Sequence, residues 1–287
     1  MPIVLTDVDY IYDSGEPIEF FALHGITLEI PDGEFVGIVG RTGSGKSTLV
    51  QHMNGLLLPS RGQVRVDDVA VINKRDVLAA VRRKIGIVFQ YPEDQFFAET
   101  VYDEVAFGCR NYGFSKERVD SSVRSALSVV GMDDERFLLQ SPFQLSGGEQ
   151  RRVAIASVIA MEQKFVILDE PTAGLDSISK LSVLSELESL RQSRKVTVVL
   201  VSHNMDEVAE FCTSVIVLDK GSVVFSGSTD DFFGNPSLVS DAGLDLPESY
   251  RLAGALAGCG SLLHVERGSS SAVLESLRRT VSKLGSP

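Results

Sequence analysis

Residues 40–48 of the chain read Gly40-Arg41-Thr42-Gly43-Ser44-Gly45-Lys46-Ser47-Thr48. The stretch lies between an apolar run at residues 35–39 and a segment, 46–54, that we expect to be helical. It fits the pattern GxxxxGK[ST], in which small residues let the backbone wrap around phosphates and point its N–H groups inward. The N terminus of the following helix adds partial positive charge. We therefore expect residues 40–48 to bind a nucleotide, with Lys46 on the β- and γ-phosphates and the Ser47 hydroxyl on Mg²⁺.

The rest of the chain alternates between strand-like and helix-like segments. Further strands are predicted at residues 3–8, 20–30, 84–89, 165–168 and 196–201, with a hairpin around 219–221. Helices are predicted at 181–190 and 205–211, and the pattern is helical between about residues 91 and 161. This alternation predicts an α/β sheet with an inserted helical subdomain. The composition shifts near residue 235, so residues 1–235 are expected to form the main domain and 236–287 a small C-terminal extension.

Two carboxylates follow directly after the apolar strand at residues 165–168. Successive side chains of a strand point in opposite directions, so Asp169 and Glu170 can have different roles. We expect Asp169 to orient the Mg²⁺ shell and Glu170 to act as the general base that polarises the attacking water.

The stretch Asn73-Lys74-Arg75-Asp76 matches the NKxD pattern with which GTP-binding proteins recognise guanine. It comes soon after the phosphate-binding stretch, before the acidic strand end, and no strand clearly precedes it. We interpret it as a charged turn that opens a helix, and on this ground alone ATP is favoured over GTP.

The composition narrows the function classes. The 287 residues include 27 basic and 39 acidic side chains, a net charge of −12, which argues against nucleic acid as the main partner. The cysteines are three in number and have no CxxC spacing, which favours a reducing cytoplasm over a disulfide framework. No apolar run reaches the roughly 18 to 20 residues that cross a bilayer, and no signal peptide is evident. We expect other chains to hold this one at any membrane.

The stretch Leu145-Ser146-Gly147-Gly148-Glu149-Gln150 is a second candidate anion site. Two glycines, a hydroxyl and a predicted helix N terminus supply N–H groups suited to phosphate. Because one chain already has such a site at residues 40–48, we infer that this one serves the nucleotide of a second chain. Two chains packed head to tail would then enclose two nucleotides.

With these motifs the sequence resembles the ABC ATPase family, whose signature motif is LSGGQ. The other motifs follow in the family's order: an aromatic residue near the N terminus (Tyr12), the P-loop, Gln90 at a strand end, the signature, the acidic pair, Ala173-Gly174-Leu175-Asp176 and His203. The resemblance covers roughly residues 1–235. It implies a P-loop NTPase with a RecA-like core, an antiparallel β subdomain, an inserted helical subdomain and a small C-terminal extension.

The resemblance also implies roles for individual residues. Tyr12 would stack on adenine, with Tyr10 as the rival, and Gln90 would contact Mg²⁺. Ser146, Gly147 and Gly148 would contact the γ-phosphate bound to the partner chain, and Asp176 would bridge the dimer. His203 would hold the γ-phosphate beside Lys46 and Glu170. The substitutions Glu149 and Arg151 remove neither the serine nor an N–H donor, so we expect an active ATPase.

Within the family, the stretches 90–97, 99–101 and 103–108 resemble ATPase subunits of energy-coupling factor (ECF) transporters. Residues 51–56, 161–176 and 235–247 resemble the second of the two paired subunits and the start of its extension. This implies a second ATPase subunit, in a homodimer or heterodimer, together with a transmembrane coupling protein and a substrate-binding membrane protein. The complex would import vitamins, cobalt or nickel ions, with this chain peripheral on the cytoplasmic face of a prokaryotic membrane. Residues 93–97 would help to receive a coupling helix.

Several alternatives stay open at this point. An ATPase of an ordinary binding-protein-dependent importer is the nearest rival, and a soluble ABC protein acting on nucleic acid is more distant. In the extension, an apolar stripe at helical spacing either packs on its own domain or pairs with the other ATPase subunit. The stripe consists of Val273, Leu274, Leu277, Val281 and Leu284.

Overall fold

The computed structural model describes residues 2–12, 19–90, 95–258, 273–275 and 278. Within these ranges the strands form two sheets. The strands are β1 (Ile3–Tyr12), β2 (Phe20–Ile30), β3 (Phe35–Gly40), β4 (Arg61–Val66), β5 (Val69–Ala70), β6 (Ile85–Val88), β7 (Phe165–Asp169), β8 (Thr197–Val201), β9 (Ser214–Asp219) and β10 (Ser222–Ser228). The smaller sheet has the order β2-β1-β4-β5 and the larger has the order β10-β9-β3-β8-β7-β6.

The helices flank the larger sheet or belong to the insertion. They are α1 (Lys46–Met53), α2 (Arg75–Arg82), α3 (Val101–Asn111), α4 (Lys116–Val129), α5 (Glu135–Leu138), α6 (Gly147–Ile159), α7 (Ser177–Arg194), α8 (Met205–Phe211), α9 (Thr229–Phe233), α10 (Pro236–Asp241) and α11 (Glu248–Gly258). Among the described residues, no helix is both long and apolar enough to span a bilayer.

The larger sheet is parallel from β9 through β3, β8 and β7 to β6. Strands β3, β7 and β8 are buried along their whole length, as expected for parallel strands covered on both faces. The register places Ile38 of β3 and Asp169 of β7 on either side of Val201 of β8. The carboxyl ends of these three strands therefore meet at one edge of the sheet.

The smaller sheet is antiparallel and packs on the side of α1 that faces away from the larger sheet. β1 pairs with β2 and with β4, and apolar side chains from both sheets and α1 form one buried cluster. The carboxylate of Asp67, in the turn between β4 and β5, forms ion pairs at 2.6 and 2.8 Å with Lys84 and Lys164, which directly precede β6 and β7 of the larger sheet. These ion pairs hold the two sheets in one arrangement.

Strands β4 and β5 were not predicted from the sequence. β4 alternates, but its solvent face carries Arg61, Gln63 and Arg65, so only Val64 and Val66 are buried. The NKxD stretch opens a helix, as interpreted, because α2 begins at Arg75.

The helical insertion consists of α3 to α6, and serine, threonine or aspartate caps the N terminus of each. Tyr250 of the extension packs against Phe233 of α9, and the neighbouring Phe232 packs against Phe225 of β10. Of the apolar stripe, Val273 is buried and Leu274 is exposed. Leu277, Val281 and Leu284 lie outside the described residues, so the two alternatives for the stripe stay open.

Replacing Phe165 tests the packing of the core that positions the acidic strand end. It is fully buried at the start of β7, between the sheets. We expect Phe165→Ala to lower the free energy of unfolding by about 3–5 kcal/mol, because a large cavity replaces the ring. The measurement is chemical denaturation followed by circular dichroism. Phe143, 59% exposed, is the matched control, and Phe143→Ala should change stability by less than about 1 kcal/mol. Equal losses in both variants would contradict this packing.

Candidate nucleotide-binding site

The loop between β3 and α1 is pressed against neighbouring backbone, which explains two of its glycines. Gly40 has φ +149°, and a Cβ there would lie 2.2 Å from the Leu218 carbonyl oxygen. Gly45 has φ +102°, and a Cβ there would lie 2.7 Å from the Ala22 carbonyl oxygen. Only glycine fits both positions without displacing β9 or β2.

Lys46 closes this loop. Its Nζ donates to the carbonyl oxygens of Gly40 and Arg41 at 2.8 and 3.0 Å. Burial lowers the pKa of the Lys46 ammonium, and the nearby charges of Glu170 and Asp169 oppose that effect. The ammonium therefore lies over the loop, where it can reach a phosphate held by the loop N–H groups.

Ser44 supports the assignment of the loop to an anion. Its hydroxyl is buried beside Gly40 and has no hydrogen-bond partner among the described residues. A buried hydroxyl without a partner costs about 1–3 kcal/mol. A phosphate oxygen in the loop is a partner of the right chemistry, so the loop fits a nucleotide.

The acidic strand end faces the start of α1. The Ser47 hydroxyl donates to Asp169 Oδ2 at 2.8 Å. Burial raises the pKa of Asp169, the Ser47 hydrogen bond opposes this, and the charge of Glu170 adds to the rise. A hydroxyl and a carboxylate side by side are the oxygen ligands that Mg²⁺ prefers.

Glu170 is held by two side chains that the sequence separates widely. Gln90 Nε2 donates to Glu170 Oε2 at 2.9 Å, and His203 Nδ1 lies 3.2 Å from Oε1. The backbone of Glu170 has φ +52°, and its N–H donates to the Val201 carbonyl oxygen at 2.9 Å. A non-glycine residue with positive φ costs about 1–3 kcal/mol and persists where its surroundings fix it.

Glu207, which no sequence motif indicated, helps to fix this arrangement. Its buried carboxylate accepts from the hydroxyls of Thr172 and Ser202 at 2.8 and 3.2 Å. These two residues lie just beyond Glu170 and just before His203. Glu207 therefore ties together the two loops that present the candidate base and the candidate γ-phosphate contact.

These groups line one cleft of about 1050 Å³. It brings together Gly40–Gly43, Gly45 and Lys46–Thr48 of the loop region with Gln90, Asp169, Glu170 and His203. Ser44 is buried behind them. The cleft also contains residues that sequence analysis did not assign to it, namely Phe20, Ala22, Asn204, Met205, Asp206, Gly243, Leu244, Asp245, Leu246 and Arg251.

The start of the C-terminal extension forms one wall of the cleft. Arg41 Nε lies 3.5 Å from the Gly243 carbonyl oxygen, and a Cβ on Gly243 would overlap the Arg41 guanidinium. The Glu248 N–H donates to Asp206 Oδ1 at 2.6 Å. The extension thus contacts both the phosphate loop and the first turn of α8, which follows His203. The sequence signal for this contact is the glycine at position 243. Its backbone φ of +66° favours glycine.

The two candidate aromatic residues differ in their surroundings. The Tyr12 hydroxyl lies 3.2 Å from Thr48 Oγ1, at the edge of the cleft. Tyr10 packs edge-on against buried His52, with ring centroids 4.7 Å apart. Tyr12 is therefore closer to the cleft than its rival, although neither ring is among the described residues that line it.

The signature residues are not among the described residues that line this cleft. Ser146 caps α6, and a capping box joins it to Glu149. Nothing lies within 4 Å of a Cβ placed on Gly147, and one on Gly148 would lie 3.2 Å from Leu175 Cδ2. Asp176 likewise caps α7 and accepts from the N–H groups of residues 178 and 179. Both helix ends are exposed at the surface of the described chain.

Known proteins are similar to this chain in sequence and in fold. A family model described as "ABC transporter" matches residues 23–173. The energy-coupling factor transporter ATP-binding protein EcfA2 of Symbiobacterium thermophilum is 46% identical over 256 residues, which cover 89% of this chain and 88% of that protein. The structure of cbiO1 from Clostridium perfringens, part of the ABC transporter complex cbiONQ, matches with a TM-score of 0.74 and 34% identity, and the match covers 87% of this chain and 97% of that one.

A dimeric structure of the ATP-binding cassette MJ0796, in a post-hydrolysis state bound to ADP and Pi, matches with a TM-score of 0.72 and 33% identity. The match covers 79% of this chain and 98% of that one. The fold class and the family expected from the motifs are thereby confirmed. The chain belongs to the ABC transporter family as an ATPase, and within that family it belongs to the energy-coupling factor transporter ATP-binding proteins.

Proposed function

We propose that this chain hydrolyses ATP with Glu170 as the general base, and that the reaction drives an importer of the ECF type. The observation that carries the proposal is the position of Glu170. Its carboxylate lies between Gln90 and His203, in the same cleft as Lys46 and the phosphate loop. A base, a γ-phosphate contact and a phosphate cradle are thus within one site.

The residues of the cleft divide the chemical work. The loop N–H groups and Lys46 bind the β- and γ-phosphates, and His203 holds the γ-phosphate at the far side. Glu170 accepts the proton of the attacking water, while Gln90 and His203 fix the direction of its carboxylate. Ser47, Asp169 and Gln90 would hold Mg²⁺, and the metal ion would neutralise negative charge on the phosphates.

A second ATPase subunit completes the site in this proposal. Ser146, Gly147 and Gly148 are at an exposed helix N terminus and would contact the nucleotide bound to the partner chain, with Asp176 beside them. ATP then favours the closed dimer because its γ-phosphate contacts both chains, and ADP lacks that contact. The solved dimeric relative supports this pairing.

The helical insertion is the proposed contact with the membrane proteins. The Gln90 carbonyl accepts from Arg151 of α6 at 2.9 Å, so Gln90 is bonded to both Glu170 and the signature helix. Further along this insertion, Phe97 and Phe107 are exposed and pack edge-on at 4.6 Å. They offer an apolar surface to a coupling helix of a transmembrane protein. Of the predicted groove at residues 93–97, positions 93 and 94 lie outside the described residues.

The expected partners are a second ATPase subunit, a transmembrane coupling protein and a substrate-binding membrane protein for vitamins or transition-metal ions. Purifying the chain in mild detergent from its native membrane and identifying the proteins that accompany it tests this. We expect an integral membrane coupling protein together with one or more small membrane proteins. Recovery with an extracytoplasmic binding-protein system instead would indicate an ordinary importer, and would contradict the ECF assignment.

Replacing Glu170 by Gln separates hydrolysis from binding. Glu170→Gln removes the proton acceptor and keeps the size of the side chain. We expect ATP hydrolysis to fall about 10²–10⁴-fold while ATP binding persists and the closed dimer accumulates. Phosphate release measures turnover, and light scattering measures dimerisation.

Lys46→Ala should instead lower nucleotide affinity, because it removes the charge that binds the phosphates. Lys74→Ala, at the exposed start of α2, is the control and should alter neither quantity. Unchanged turnover in Glu170→Gln would remove Glu170 from the role of base.

A further inference from the structure

The free ends of β1 and β2 carry a pair of aromatic rings beside the cleft. Tyr12 and Phe20 are directly opposite each other in the antiparallel register of these strands. Directly opposite residues project to the same face of a sheet. Their ring centroids lie 6.4 Å apart with the planes tilted by 32°. The two rings therefore form one aromatic surface at the edge of the phosphate-binding cleft.

Phe20, rather than Tyr12, is the ring that lines the cleft. It does so together with Ala22, two residues further along the same face of β2. In the described part of the chain it is the only Phe, Tyr or Trp side chain in the lining. Phe21, the next residue, points away and stacks on His24 with an interplanar angle of 10°.

The position of Phe20 relative to the loop suits a nucleobase. The Ala22 carbonyl abuts Gly45, and a strand advances roughly 7 Å over two residues. A ribose joined to phosphates in the loop can span that separation and bring its base to Phe20. The phenyl ring is 58% exposed, so a stacked base would remove a large apolar surface from water.

We propose that Phe20 is a base-stacking residue of the ATP site, acting beside Tyr12 on the same aromatic surface. The inference rests on the proposed function, because it requires the triphosphate to lie in the loop at residues 40–48. Phe20 contributes no polar atom, and the Tyr12 hydroxyl is engaged with Thr48. The contact is therefore made through ring faces, which attract any aromatic base in offset or tilted geometry.

The test compares Phe20→Ala with Phe21→Ala in the full chain. The two positions are adjacent in β2, carry the same residue, and are 58% and 48% exposed. Calorimetric titration measures the affinity of each variant for ATP with Mg²⁺ and for inorganic tripolyphosphate with Mg²⁺, which has no base. Loss of one stacking contact should weaken ATP binding about tenfold or more in Phe20→Ala. Tripolyphosphate should bind that variant as it binds the natural chain.

Phe21→Ala should change neither affinity, and Phe20→Tyr should restore ATP binding because it restores an aromatic face. Equal ATP affinity in Phe20→Ala and Phe21→Ala would overturn the inference. So would an equal loss of ATP and tripolyphosphate binding in Phe20→Ala, since the ring would then act by shaping the loop. If the natural chain bound neither ligand, the proposed function itself would fail, and that result is distinct from the other two.

Discussion

The parallel pairing of β8 with β3 on one side and β7 on the other is the constraint from which the site follows. Ile38 and Asp169 both pair with Val201, so β7 and β8 end at one level and β3 ends two residues beyond it, at Gly40. The chain leaves these ends as the phosphate loop, as Glu170 and as the loop to His203. Hydrogen bonds of the strands, rather than contacts among the functional side chains, therefore determine which groups meet in the cleft.

Several features of the cleft lower the stability of the folded chain. Burial works against the charged forms of both Lys46 and Asp169, Ser44 keeps a buried hydroxyl without a partner among the described residues, and Glu170 has positive φ. Each of these features is unfavourable in the free protein. A bound nucleotide with its metal ion would supply the charge and the oxygen atoms that relieve the first three. In the proposed function, binding would relieve these costs, and the groups would already be in place before the reaction begins.

Most of the site could be predicted from the sequence because its motifs are local. The loop at residues 40–48, the acidic pair and the signature each need only a few adjacent residues, and their order identifies the family. The missed residues depend on distant partners. Phe20 becomes a lining residue only through its register opposite Tyr12, and Gly243 only through its contact with Arg41. β4 was missed because a polar solvent face leaves only Val64 and Val66 buried, too few to stand out in the sequence.

The central claim is that one chain carries two half-sites belonging to different nucleotides, and Ser146→Arg tests it most directly. The control is Ser115→Arg, because Ser115 caps α4 in the same insertion with the same kind of hydrogen bond. ATP affinity and hydrolysis are measured for both variants, in the purified complex and in the isolated chain. We expect Ser146→Arg still to bind ATP in its own loop but to lose hydrolysis in the complex, while Ser115→Arg keeps both. Full-rate hydrolysis by monomeric Ser146→Arg would contradict the account.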